Sequence, residues 1–275
     1  MPSGSRSPPT AGTPSAPART RRGPTRSPAC PPPAACSRTS WPPSPARPPT
    51  RPPTRPPTRP PTRRERPRVS DPPGPHLTRR GLGRRSRAVV LLLHGGAEAG
   101  AEPVSRWGGP PLRMLPFGWA VRRRDRRIAV VRLRYRRRGW NGDAADPVAD
   151  VRWALAEIER RRPGLPVVLV GHSMGGRAAI AAAGDPHVVG LVALAPWIPP
   201  SDPVDQLADR TVVVVHGTDD DRTSPENSAR FVARIRGVAR DPRWVPVTGG
   251  DHAMLRHARR WHHLTADAVT AMLPR

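Results

Sequence analysis

Val167-Val-Leu-Val-Gly-His-Ser-Met-Gly-Gly176 runs from an unbroken apolar stretch into glycines that bracket a serine, and Ala-rich sequence follows as far as Ala183. Consecutive β-branched and leucine residues without polar alternation read as a strand buried on both faces, as in a parallel sheet. The alanines that follow read as a helix. The chain must turn sharply between the two, and glycines two before and two after Ser173 leave room for a strained backbone at the serine. The hydroxyl then stands above the sheet with a helix N-terminus behind it. A tight glycine turn with an incidental serine is the competing reading, and the flanking strand and helix weigh against it.

The same alternation extends in both directions. Apolar runs occupy 88–94, 128–135, 188–195 and 211–216, with a weaker one at 243–247. Helical patterns fall at 150–160, where Val151, Leu155 and Ile158 share a face, at 174–183, at 226–235 and at 255–272. Strands alternating with helices predict an α/β domain over residues 88–275, with a mostly parallel, roughly six-stranded sheet and helices on both faces. No strand pattern is evident before residue 88. Ligands of such sheets sit beyond the carboxyl ends of the strands, which is where the polar motifs lie.

Serine is a poor nucleophile until a base takes its proton, and the base needs a third group to fix its tautomer. Both groups are present at later strand ends. His216-Gly-Thr-Asp-Asp-Asp-Arg222 follows one apolar run, and Gly249-Gly-Asp-His252 follows the last. Three adjacent carboxylates cannot all be buried and ionised, so one of Asp219, Asp220 and Asp221 is the partner and the others are solvated or capping. Among the histidines, His257, His262 and His263 fall in the final helical pattern. His94 and His216 sit at strand ends and read as turn-stabilising, and His252 has the loop position a base requires.

The order serine, acid, histidine, each in a loop after a strand, resembles the α/β-hydrolase superfamily over residues 88–272, close to small capless hydrolases found in actinobacteria. The resemblance implies Ser173 as nucleophile, Asp220 as acid (with Asp221 as the alternative) and His252 as base. An oxyanion hole needs backbone N–H groups aimed at the developing charge. Met174, just after the serine, is one candidate, and the resemblance makes Gly96 of His94-Gly-Gly96 the other, with Ala97 as the alternative. The implied activity is cleavage of carboxylic esters or related small acyl compounds through an acyl-enzyme, with no metal or organic cofactor. A peptidase or amidase with the same triad shares the chemistry to the tetrahedral stage.

Only residues 196–210 separate two of the apolar runs, too few for an inserted cap, so an open site is expected, walled by 97–119, 136–142 and Trp197. Trp140 and Trp197 either pack on substrate or seal the sheet edge. The Arg-rich stretches 122–127 and 132–138 read as a solvated face before they read as an anion selector.

The formal net charge of +26 comes from 47 basic residues, all arginine, against 21 acids. Residues 1–87 carry 19 of those arginines but only two acids, Glu65 and Asp71, so most of the excess belongs to a tail. Four Arg-Pro-Pro-Thr units beginning at Arg47, Arg51, Arg55 and Arg59 favour an extended polyproline chain. With so few apolar residues the segment is expected to be disordered. A polyanion-binding arm is the competing reading. Nucleic acid is not the expected partner, because Trp41 is the one aromatic residue before position 88 and base stacking would be sparse. No apolar run reaches the length of a membrane span. No apolar signal core or twin-arginine signal is seen at the start, which predicts a cytoplasmic protein. Cys30 and Cys36 lie in the tail, and no His/Cys array has metal-ligand spacing.

Overall fold

The computed structural model describes residues 74–78 and 82–274. The expectations for the Arg-Pro-Pro-Thr repeats, the cysteines and the tail as far as residue 73 lie outside the described residues. In chain order the strands are β1 (His76–Leu77), β2 (Ala88–Leu93), β3 (Ile128–Arg134), β4 (Val167–His172), β5 (Val188–Leu194), β6 (Thr211–Gly217) and β7 (Asp241–Val247). Helices α1 (Gly109–Arg113) and α2 (Leu115–Arg124) join β2 to β3. Helix α3 (Asp146–Arg161) precedes β4, α4 (Met174–Ala182) follows it, α5 (Pro225–Arg234) precedes β7, and α6 (Ala258–Met272) ends the domain.

The strands form one sheet in the order β1-β3-β2-β4-β5-β6-β7. All neighbouring pairs are parallel except β1 with β3, which are antiparallel with His76 opposite Arg134. The side-chain period of two splits the buried strands between two cores. Val89, Leu91 and Leu93 of β2 belong to the core that also holds residues of α3, α4 and α5, whereas Ala88, Val90 and Leu92 belong to the one that holds residues of α2 and α6. Each fully buried valine or leucine contributes about 1.5–3 kcal/mol, so the central strands are firm anchors for the loops that leave them. After β2 the chain goes to β3 on one side, then returns to β4 on the other. The loops leaving β2 and β4 therefore diverge over a crevice at the carboxyl ends of two adjacent strands.

Two sequence expectations need correction. The sheet has seven strands rather than about six, and β1 lies within the stretch assigned to the tail. Two residues make no pattern in a sequence: Leu77 alone is buried, while His76 is exposed. Helices α1 and α2 also occupy ground read only as a wall and an Arg-rich stretch. Pro116 and Gly118 mask α2 in the sequence. Pro116 sits in its first turn, where proline is tolerated, and the exposed Arg122 to Arg124 form its last turn, with Arg124 paired to Asp267 of α6 at 2.8 Å.

Strand β7 is the sheet edge and carries Pro242 and Pro246. The Val247 carbonyl accepts the Thr218 N–H at 3.0 Å on the β6 side. By alternation, Pro246 and Pro242 turn their nitrogens outward, the orientation in which a missing donor breaks no ladder bond.

Candidate active site

Ser173 connects β4 to α4 with φ 53° and ψ −118°, a strained conformation for a residue with a side chain. Surrounding bonds hold it there. Its N–H donates to the Leu194 carbonyl at 2.9 Å, and its own carbonyl accepts from Gly176, Arg177 and Trp197. The glycines of the Gly-x-Ser-x-Gly string are required by close approach. A Cβ on Gly171 would lie 2.2 Å from the Gly175 carbonyl oxygen, and one on Gly175 would lie 2.5 Å from the carbonyl oxygens of Leu93 and His94. The turn that exposes the serine thus depends on β4, α4 and the end of β2 meeting backbone to backbone.

Beyond β6, the register among the three aspartates is settled by burial. Asp219 is exposed and paired with Arg256 at 3.1 Å, and Asp221 is exposed. The Asp220 carboxylate is fully buried. Its Oδ2 accepts from His252 Nδ1 at 2.9 Å, His216 Nε2 at 3.0 Å and Thr223 Oγ1 at 2.9 Å. Its Oδ1 accepts the backbone N–H groups of Arg222 at 2.8 Å and Thr223 at 2.9 Å. Burial pushes this carboxyl up, but the His216, His252, Thr223 and Arg222 donors outweigh it and hold Asp220 well below the usual aspartate range.

His252 is held from two directions. Asp220 takes its Nδ1–H, and its backbone carbonyl accepts the Nε2–H of His172 at 2.9 Å, with the two imidazoles 4.9 Å apart. Burial, reinforced by the neighbouring His252, lowers His172 to about 3, so this ring is neutral and its Nδ1 lone pair has no partner. His94 has the turn-stabilising role expected of it: Nδ1 donates to the Gly95 carbonyl at 2.7 Å, and Nε2 accepts the Tyr135 N–H at 3.4 Å. Burial lowers it to about 4. His216 instead joins the acid. Neither His172, Thr223 nor His216 was singled out from sequence as part of the site. The four-residue spacing from His216 to Asp220, and the place of His172 beside the serine, were the available signals.

Ser173, Met174, Gly96 and His252 line one cavity of about 690 Å³, with Val104, Arg138 and Trp197 in its walls. Ser173 and His252 face it without a direct hydrogen bond, a looseness common at such sites before substrate tightens them. Met174 is the first residue of α4, where the N–H has no intrahelical acceptor. The alternative donor Ala97 is already committed, since its N–H donates to the Arg138 carbonyl at 3.0 Å. Trp140 does not line this cavity. It is buried in the core, and the Arg177 guanidinium lies over its ring at 3.9 Å and over Trp197 at 4.4 Å. Arg177 also makes a bidentate pair with Asp202 at 2.6 and 2.7 Å. Of the two tryptophans expected to meet substrate, only Trp197 reaches the cavity, and it is fixed from behind.

A family model described as serine aminopeptidase, S33, matches residues 133–212. No curated protein matches the chain. Among solved structures, the chain is similar to an α/β serine hydrolase without a lid from Xanthomonas campestris, at 19% identity and a TM-score of 0.52, covering 69% of this chain and 84% of that one. It is similar to Est1E of Butyrivibrio proteoclasticus, seen with ferulic acid, at 13% identity and a TM-score of 0.53, covering 72% and 94%. It is also similar to a monoglyceride lipase of Saccharomyces cerevisiae in complex with a substrate analogue, at 13% identity and a TM-score of 0.51, covering 70% and 89%. The chain has the α/β-hydrolase fold. Ser173, His252 and Asp220 are consistent with the Ser-His-Asp triad of a serine hydrolase. Among the described residues no cap is inserted between β5 and β6, where the connection holds only a single short turn, Asp205–Leu207. Among the described residues no helix is long and apolar enough to cross a membrane.

Proposed function

We propose that the protein cleaves carboxylic esters or related small acyl compounds through an acyl-enzyme. In this reading His252 Nε2 takes the Ser173 proton as Oγ bonds to the substrate carbonyl carbon. The amides of Gly96 and Met174 hold the oxyanion, each donor lowering the barrier by about 3–4 kcal/mol. The tetrahedral intermediate collapses, the bond to the leaving oxygen breaks, and His252 returns the proton to the departing alcohol. Water, deprotonated by the same histidine, then releases the acid and restores Ser173. Asp220 keeps the imidazole in the tautomer that bears a lone pair on Nε2 and stabilises the imidazolium as it forms.

The observation that carries this reading is the buried Asp220 Oδ2 to His252 Nδ1 bond of 2.9 Å, set beside a serine in a strained turn on the same cavity. Ester substrates are favoured by analogy with the monoglyceride lipase and with the ferulic acid seen in Est1E. A second reading, an aminopeptidase, draws on the description of the matching family and on Glu98 and Glu102 in the cavity wall, whose carboxylates suit a substrate ammonium. A fluorophosphonate probe tests the nucleophile: wild type should label and Ser173→Ala should not. Equal labelling of both, or none of wild type, would sink the assignment. p-Nitrophenyl esters of graded chain length, set against amino-acid arylamides, then separate the two readings.

A further inference from the structure

His216 was read from sequence as a turn residue, yet it is the second imidazole on the acid. Its ring is completely buried. Nε2 lies 3.0 Å from Asp220 Oδ2, the same oxygen that accepts from His252, and Nδ1 lies 2.8 Å from the Ser228 hydroxyl on α5. The chemistry at each end fixes the proton. A carboxylate only accepts, so Nε2 must carry the hydrogen, which leaves Nδ1 to accept the Ser228 O–H. We infer that His216 is a positioning residue for the acid, held by Ser228 in its Nε2–H tautomer, so that the relay begins on helix α5 and runs Ser228, His216, Asp220, His252.

Two consequences distinguish this role from simple packing. With His216 donating to it, Asp220 Oδ2 has no freedom to swing off the line to His252 Nδ1. The same donor also draws negative charge away from that oxygen, which tempers how strongly Asp220 holds a proton on His252. Other groups face this centre as well: the Thr223 hydroxyl, 3.3 Å from His216 Nε2, the Trp244 ring of β7, 6.1 Å from the His216 ring, and Glu226 at the start of α5, which interacts with it electrostatically. Of these, only Thr223 competes for the same oxygen, and its hydroxyl bonds Oδ2 without displacing His216.

The inference rests on the proposed triad, and the test separates the two. Wild type must first react with the fluorophosphonate at Ser173; failure there overturns the triad and leaves nothing for His216 to position. Given labelling, kcat and KM for a p-nitrophenyl ester are measured across pH for wild type, His216→Gln, His216→Leu and Ser228→Ala. Loss of a hydrogen bond to a charged group predicts that His216→Leu lowers kcat by about tenfold or more with little change in KM. Its acid limb should move to higher pH, because the relieved oxygen holds the His252 proton more tightly. His216→Gln retains an N–H donor and should recover most of the rate. Ser228→Ala should slow the enzyme a few-fold, and ¹⁵N NMR of labelled histidines should show His216 of wild type as the single Nε2–H tautomer. Equal rates and limbs in His216→Leu and wild type would overturn the inference, as would a His216→Gln as slow as His216→Leu. Should His216→Leu fail to fold, wild-type His216 found as the Nδ1–H tautomer, or Ser228→Ala as fast as wild type, would overturn it equally.

Discussion

Asp220→Asn is the sharpest perturbation available, because it preserves shape and inverts one half of a fully satisfied acceptor. Five donors converge on the carboxylate, three at Oδ2 and two at Oδ1. An amide offers one oxygen and one NH₂. With the NH₂ at Oδ1 it faces the fixed backbone N–H groups of Arg222 and Thr223. With the NH₂ at Oδ2 it faces the His252 and His216 donors. Either way at least two donors lose their acceptor, at about 1–3 kcal/mol for each that is buried. The folded domain should therefore lose roughly 1–6 kcal/mol, a fall in Tm of about 2–15 °C for a domain of this size. The effect on turnover should be larger. If the NH₂ takes the Oδ2 place, His252 must present a lone pair at Nδ1 and carry its hydrogen on Nε2, where it cannot accept from Ser173, and kcat should drop by about 10⁴. Circular-dichroism melts and ester hydrolysis at pH 8 measure both effects. Because the Asp220 pKa is depressed on folding, its stabilisation is complete above the ordinary aspartate range and is lost as pH falls through the folded value. The stability gap between variant and wild type should accordingly narrow in acid. A variant within tenfold of wild type in kcat, or melting at the same temperature, would refute the reasoning.

Ser173→Gly should remove activity and yet raise stability by about 1 kcal/mol, since glycine adopts the φ of 53° without strain; an unchanged or lower Tm would count against strain at the elbow. Gly175→Ala sets two effects against each other. Helix propensity favours alanine by about 1 kcal/mol, but its Cβ would sit 2.5 Å from two backbone carbonyl oxygens. The clash should win, lowering Tm and slowing fluorophosphonate labelling through displacement of the His94-Gly95-Gly96 loop; a more stable, fully active variant would contradict this. His94 and His172 stay neutral when folded, with values lowered to about 4 and about 3 from the ordinary 6.5. The unfolded chain binds two protons that the folded one refuses, so stability should be greatest above pH 6.5. Below it, stability should fall by up to about 2.7 kcal/mol per pH unit. Urea melts at pH 7, 6 and 5 test this, and a flat profile would refute the burial of these two rings as neutral imidazoles.

The inner parallel strands are legible because burial leaves a continuous apolar run in the text, whereas β7, partly exposed at the sheet edge, leaves only a weak one. The elbow was legible because steric need writes glycine at fixed positions around Ser173. Asp220 was separable from Asp219 and Asp221 only as the fourth residue after His216, a resemblance, whereas burial decides it physically. The remainder depends on contacts between distant segments. His172 and His216 are each one imidazole at a strand end, with nothing local to show that one grips the His252 carbonyl and the other the acid. Trp140 and Trp197 looked alike as aromatics in site loops; Arg177, arriving from α4, takes one into the core and braces the other at the cavity. Strand β1 owes its existence to the edge of β3 rather than to its own two residues.

Strand β7 does more than deliver the loop that carries His252. An unpaired edge with outward N–H groups is a template on which a second copy of a sheet can grow. Pro242 and Pro246 occupy two of the three outward positions and have no N–H to offer, which leaves that of Trp244 alone between them. The β7 margin is therefore a poor template for continuation into a neighbouring molecule. Replacing both prolines by valine would restore two donors to β7 without touching the triad, turning a self-limiting sheet into one able to recruit another chain.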